Sequence, residues 1–144
     1  MMTVRNIMTK SVVTVEMDDS LAVVKNIFDN TSFHHLLVIE HSAVVGIISD
    51  RDLLKALSPN IGTAAESVRD AATLNKKVHQ IMSRNVISLL PSTPIYQVIS
   101  TFIQHNISCI PIIDIDGKLV GILTWRDIFR VLEAHHREKQ DTKN

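Results

Sequence analysis

Two short segments of the chain carry the same polar side chains at the same spacing. Gly46-Ile47-Ile48-Ser49-Asp50-Arg51-Asp52-Leu53 returns as Gly121-Ile122-Leu123-Thr124-Trp125-Arg126-Asp127-Ile128. Each copy sets a hydroxyl and a carboxylate three residues apart, where an apolar strand runs into a helix. Groups so spaced can converge on one spot. A carboxylate has enough lone-pair positions to accept both hydroxyls of a ribose cis-diol. The start of a helix offers free N–H groups and a partial positive charge, which suit a phosphate. An apolar cleft alongside would take a purine ring. Together these are the parts of an adenosine-phosphate site. The same residues also have a plain structural use. Ser, Thr and Asp at a helix start are ordinary caps, and the dipole favours Asp in the first turn. For one isolated copy that use is favoured by about two to one. Duplication copies caps as faithfully as binding groups, so the residues leave both uses open.

The repetition extends well beyond this corner. Val4-Arg5-Asn6-Ile7-Met8-Thr9 returns as Val78-His79-Gln80-Ile81-Met82-Ser83, Val24 matches Val98, and Phe28 matches Phe102. The second copy has one extra residue, which falls in the turn containing Asp116-Gly117. An insertion in a turn leaves the strand registers on either side intact. Each copy reads as strand, helix, strand, strand, helix. Short β-branched runs at Val12–Val15 and Val86–Leu90 predict the first strands. Asp18, Asp19 and Ser20 offer a cap for the helix that begins at Leu21, with Leu21, Val24, Ile27 and Phe28 on one face. In the second copy Thr93 is the expected cap and Pro94 the first helical residue. Leu36–Ile39 and Ile110–Ile113 are continuous apolar runs, as expected of strands covered on both faces. Glu40-His41-Ser42 and Asp114-Ile115-Asp116-Gly117 are turns. Strands Val44–Ile48 and Leu119–Leu123 follow, then helices over Asp50–Leu57 and from Arg126 to Glu133 or beyond. The organisation predicted is a first unit at 1–57, a partly helical linker at 58–77, a second unit at 78–134, and a charged tail at 135–144 expected to fray.

Composition narrows the function classes. A chain of 144 residues with 45% hydrophobic and 21% charged residues is ordinary for a globular protein. At about this length roughly 68–70% of the unfolded surface can be buried. Formal net charge is +0, without the basic excess usual in a binder of duplex nucleic acid. The lone Cys109 cannot form an intramolecular disulfide and fits a reducing compartment. Apolar runs fall short of the roughly 20 residues a membrane helix needs, and polar residues interrupt the N-terminus at once. A cytoplasmic protein without membrane association is expected.

The ordered set of motifs, occurring twice, resembles a tandem pair of cystathionine-β-synthase (CBS) domains, a Bateman module. The residues that carry the resemblance are Ile-Met-Thr/Ser, the repeated Gly-to-Asp corner, and Ile107-Ser108-Cys109-Ile110-Pro111-Ile112-Ile113-Asp114-x-x-Gly. It spans roughly Val4 to Glu133. It implies an α+β fold of two pseudo-symmetric β-α-β-β-α units packed through their sheets, with adenosyl ligands in two clefts between them. By position, one cleft would use Ser49 and Asp52 for ribose, lined by Ile47, His34 and His35, with Met82, Val86, Ile87 and Ile107 from the second unit. The other would use Thr124 and Asp127, with Ile122 and Ser108, and Met8, Val12, Val13 and Phe33 from the first unit. Arg51 and Arg126 would meet a phosphate or form ion pairs. The clefts differ. Leu37 stands where the second copy has Pro111, and Trp125 replaces Asp50. Trp125 suits packing more than base stacking. His34 can lend positive charge to a phosphate, where the second copy has Ser108. The Ser49/Asp52 cleft is therefore the expected site of a phosphorylated ligand.

Other constellations carry less. Adjacent His34-His35 would point to opposite faces of a strand, and His135-His136 lie about 100° apart on a helix, so neither pair chelates one ion well. Cys109 precedes an apolar strand and reads as a small buried side chain. With four glycines the chain has no glycine-rich phosphate loop. Neither a catalytic cluster, a metal site nor a required cofactor is expected. The expected function is a stand-alone regulatory one. An adenine nucleotide or S-adenosylmethionine would act as regulatory ligand, and a shape change would pass to an unidentified effector protein. A homodimer is expected from the apolar helix faces. The alternative is a structural dimerisation module with non-binding clefts. AMP, ADP, ATP, S-adenosylmethionine and cyclic dinucleotides share the adenosine fragment and are not separated by these residues.

Overall fold

The protein is described from a computed structural model, in which residues 2–143 are described. Met1 of the first predicted unit and Asn144 of the predicted tail lie outside them. The chain forms two compact bodies, residues 13–86 and residues 1–12 with 87–144.

In the 13–86 body, β1 (Thr14–Glu16) leads to α1 (Leu21–Asn30), β2 (His35–Glu40), β3 (Ala43–Ser49) and α2 (Asp50–Ala56). A short α3 (Val68–Ala72) lies in the stretch that follows. Strand order is β1-β2-β3, with β1 parallel to β2 and β3 antiparallel to it. Ser20 caps α1 by accepting from the Val23 N–H, as its position before the apolar stripe predicts. Val15, Leu21, Val24, Leu36, Val38, Ile48 and Leu53 form the core together with Val78 and Met82. The leading segment of the second sequence repeat thus belongs to this body.

The other body holds α4 (Ile95–His105), β4 (Cys109–Ile113), β5 (Leu119–Thr124) and α5 (Trp125–Lys143). Its core is Val4, Val98, Phe102, Ile110, Ile112, Leu123 and Ile128. Val4 comes from the first repeat's leading segment, and its N–H is bound by the Thr93 carbonyl at 2.9 Å. Compact bodies and sequence repeats are therefore cut at different places.

Three expectations need correction. The strand predicted at Val86–Leu90 is reduced to one parallel bridge, Leu89 to Ile112. Leu89 donates to the Pro111 carbonyl and accepts from the Ile113 N–H. Extending that ladder backwards would need an N–H at Pro111, which proline lacks. The first copy has Leu37 there, and its β1 pairs from Thr14 to Leu37 through Glu16 to Ile39. Second, α4 begins at Ile95 with Pro94 at the cap position, because the buried Thr93 is tied to Val4 and Leu90 through its backbone. Third, the described part of the charged tail is helical: α5 runs to Lys143. It is rich in strong helix formers and carries the i,i+4 pair Glu133–Arg137.

The two hairpins absorb the one-residue insertion as expected. Asp114 closes the longer loop by accepting from the Asp116 and Lys118 N–H groups, and Gly117 takes φ +83°. The β2–β3 hairpin has only His41 and Ser42 in its loop, both left-handed at φ 51° and 70°. That is the type I′ turn, which favours Asn-Gly. Ser42→Gly is expected to raise stability by about 1 kcal/mol, read as a rise in melting temperature of about 2–4 °C.

Candidate functional site

Both repeated corners form where a β-strand ends and a helix begins, and both are built on the same backbone frame. In the 13–86 body, Ile47 and Ser83 exchange two N–H···O bonds of 2.9 Å each, and Gly46 lies under Met82. In the other body, Ile122 and Thr9 exchange the same two bonds at 2.9 Å, and Gly121 lies under Met8. The repeated glycine answers a need for space. A Cβ at Gly46 would sit 2.6 Å from Met82 Sδ, and one at Gly121 would sit 2.7 Å from Met8 Sδ. The structure thus brings Ile47, Ser49, Asp52 and Met82 together, and likewise Ile122, Thr124, Asp127 and Met8. Val86 and Val12 sit half-buried further along the same leading segments. Ile87 and Ile107 belong to the body holding Thr124, whereas Val13 and Phe33 belong to the body holding Ser49. Ile107 packs on the core of its own body.

The two carboxylates are held differently. Asp52 Oδ2 accepts from the Ser49 N–H at 2.9 Å, and Ser49 Oγ accepts from the Asp52 N–H at 3.0 Å. This reciprocal box is the capping use foreseen for these residues. It leaves Asp52 Oδ1 without a partner among the described residues, and the Ser49 hydroxyl proton is available to donate outward. An open acceptor beside an open donor matches the needs of a vicinal diol. Asp127 is instead 5% exposed and fully engaged. Its Oδ2 accepts from the Thr124 N–H at 2.9 Å and the Thr124 hydroxyl at 3.3 Å. Its Oδ1 accepts from the Thr9 hydroxyl at 3.1 Å and lies 3.5 Å from Arg130 Nη1. Thr9 and Arg130 were not read from the sequence as members of the site. The available signal was the hydroxyl residue after each methionine, Thr9 and Ser83.

Around the Ser49 corner, His34 Nδ1 lies 2.9 Å from Asp50 Oδ2. This bond is the main cause holding the Asp50 carboxyl below its ordinary value. His34 faces the corner's own carboxylate, so its service to a phosphate would compete with Asp50. His35 begins β2, and burial pushes its ring below the usual 6.5. Asp50 and Asp52 oppose that shift, while His34 adds to it. The unfolded chain therefore takes up a proton at His35 near pH 6.5, and the folded chain only at lower pH. Stability should be full above about pH 6.5 and decline as pH falls through that window. His35→Gln should flatten this limb of a urea-unfolding series. Asp50 would contribute its own loss only in the more acidic range below 3.8.

Arg51 and Arg126 are exposed and make no ion pair among the described residues. Ser108 is exposed just ahead of β4. Trp125 serves packing. Its indole N–H donates to the Ile107 carbonyl at 3.0 Å, and its ring meets Phe102 and Phe129 at centroid distances of 5.9 and 6.2 Å. Burial raises the Cys109 thiol to about 12, so it stays protonated and inert at neutral pH. Among the described residues, no group of three His, Cys, Asp or Glu side chains is placed to hold a metal ion. No helix among them is long and apolar enough to cross a membrane.

The chain is 31% identical over 129 residues to an L-aspartate semialdehyde sulfurtransferase of Methanocaldococcus jannaschii, covering 89% of this chain and 23% of that protein. It is 30% identical over 131 residues to a CBS domain-containing protein of Dictyostelium discoideum, covering 90% of each. The chain therefore spans about a quarter of the first relative and nearly all of the second. Among solved structures, the CBS domain pair of protein MJ0100, in complex with 5′-methylthioadenosine and S-adenosyl-L-methionine, matches with a TM-score of 0.76. It is 29% identical, with 93% of this chain and 98% of that chain covered. The CBS domain family model matches twice, at residues 4–59 and 78–134, and the chain belongs to the CBS domain family as a tandem pair.

Proposed function

We propose that this CBS pair is a non-catalytic regulatory module that binds an adenosine-containing ligand, with the ribose held by Ser49 and Asp52. The observation that carries the reading is the open pairing of the Ser49 hydroxyl with Asp52 Oδ1. A related pair, 29% identical, holds 5′-methylthioadenosine and S-adenosyl-L-methionine, which supports the adenosyl class. Ile47 and Met82 supply apolar surface next to these polar groups. Arg51 is free to meet a phosphate if the ligand carries one. Ligand would favour one conformation over another by its differential affinity, and an effector protein would read that change in the cytoplasm. A second copy of the chain suits the exposed apolar residues Tyr96, Ile103, Phe129 and Leu132 on α4 and α5.

The test is a thermal-shift and calorimetric series with 5′-methylthioadenosine, S-adenosylmethionine, AMP and ATP. Ligand at about 100 times its Kd should stabilise the fold by about 2.7 kcal/mol. Asp52→Ala removes a charged acceptor worth about 1.5–3 kcal/mol, so affinity should fall by about ten- to a hundredfold. The loss of its cap should cost stability by only about 1 kcal/mol. A second reading has its own support. The Ser49–Asp52 box and the Asp127 network each give these residues a complete structural role, as a dimerisation module with non-binding clefts would require. Silence across the four ligands would select that reading.

A further inference from the structure

Although the two corners share a sequence pattern, they are not in the same state. At matching positions the leading segments carry Thr9, which pairs with Ile122 and reaches Asp127, and Ser83, which pairs with Ile47. The Thr9 hydroxyl donates to Asp127 Oδ1 at 3.1 Å. The exposed Ser83 makes no side-chain hydrogen bond among the described residues, and Asp52 Oδ1 stays open. Thr124 differs from Ser49 in the same sense. Its hydroxyl lies against the Asp127 carboxylate at 3.3 Å, whereas Ser49 Oγ accepts from the Asp52 N–H. Arg130 adds a fourth contact to Asp127 at 3.5 Å, from a side chain that is 66% exposed and readily displaced. Thr9 and Arg130 lie on Asp127 Oδ1 and the Thr124 N–H and hydroxyl on Oδ2, so a diol at Asp127 has to displace an internal donor, and Thr9 is the one on Oδ1 held within the part-buried corner.

We infer that Thr9 is a latch on the second corner. The Ser49/Asp52 corner takes an adenosyl ligand first, and the Thr124/Asp127 corner takes one only after Thr9 releases Asp127. Thr9 is thus a positioning residue that sets stoichiometry and the order of filling. This rests on the adenosyl reading of the corners.

Calorimetric titration of the full chain with 5′-methylthioadenosine tests it. Four proteins are compared: wild type, Thr9→Ala, Asp52→Ala, and the double variant Asp52→Ala/Thr9→Ala. Wild type should bind one molecule tightly per chain. Thr9→Ala should add a second, strengthened by about tenfold or more, the worth of one hydrogen bond to a charged group. Asp52→Ala should lose tight binding, and adding Thr9→Ala should restore it. Should Thr9→Ala fail to fold, Thr9→Val removes the hydroxyl while keeping the volume. Two equal sites in wild type would overturn the latch, as would a double variant that stays silent while wild type binds.

A ligand-free arm separates the two ideas. In carboxyl-carbon NMR at neutral pH, Thr9→Ala should shift the Asp127 carboxyl resonance that the Thr9 hydroxyl touches, while Ser83→Ala leaves that of Asp52 in place. An unmoved Asp127 overturns the latch whatever the ligand result. A moved Asp127 with no adenosyl binding in any variant overturns the ligand reading and the filling order built on it.

Discussion

Gly46→Ala is expected to destabilise the chain by about 1–3 kcal/mol, the usual penalty for overpacking a filled site. The new Cβ would meet Met82 Sδ at 2.6 Å and the Ser83 carbonyl oxygen at 3.0 Å. Met82 is 8% exposed and has little room to withdraw. The Ser83 carbonyl is pinned by its 2.9 Å bond from the Ile47 N–H. Relief therefore has to come from moving the leading segment off β3. At this chain length each kcal/mol lost lowers the melting temperature by about 2–4 °C. Met82→Ala alone should also destabilise, by about 2–5 kcal/mol, because it leaves a cavity. In the Gly46→Ala background it should cost measurably less, since the two changes share one space. Additive losses in that double-mutant cycle would show that the methionine is not what excludes the methyl group. Gly121→Ala should follow the same pattern more mildly, because Met8 is half-buried and can shift more easily.

Asp127→Ala should cost on the order of 2–3 kcal/mol, against about 1 kcal/mol for Asp52→Ala. The two residues occupy the same place in the repeat and share one bond, from the backbone N–H of Thr124 or Ser49 to Oδ2. Asp127 alone also receives the hydroxyls of Thr9 and Thr124. Its removal leaves those part-buried hydroxyls without their acceptor, at a position where the carboxylate itself is only 5% exposed, and donors left unpaired away from water are costly. Asp127→Asn keeps one oxygen acceptor and should recover part of the loss. Urea titration of the three variants reads the difference directly. Equal losses for Asp52→Ala and Asp127→Ala would mean that the Thr9 and Thr124 hydroxyl bonds contribute nothing in solution.

Several features were legible in the residues because they depend on local rules. The stripe Leu21, Val24, Ile27, Phe28 behind Ser20 is a helix wherever it is placed, since spacing and cap agree. The continuous run Leu36–Ile39 is a covered strand for the same reason. The repeated hydroxyl-to-carboxylate spacing announced a strand-to-helix corner, and both corners are there. The helicity of the tail follows from propensity rather than charge, since Glu, Lys, Gln and Arg are strong helix formers. That Pro111 stands where the first copy has Leu37 is legible in the sequence. Its effect, a ladder cut to one bridge, needed the partner strand to be known.

The amino-acid sequence by itself determined that the chain is a duplicated α+β module and which side chains stand at its two polar corners. Tertiary structure alone decided how each corner is closed. A hydrogen bond between Thr9 and Asp127 joins residues 118 positions apart, and no periodicity or spacing rule reaches that far. The same holds for Met82 over Gly46 and Met8 over Gly121. Those contacts arise when the leading segment of one repeat completes the body of the other. One hydroxyl then meets a carboxylate in one body, while its counterpart in the other, Ser83, makes no side-chain hydrogen bond among the described residues.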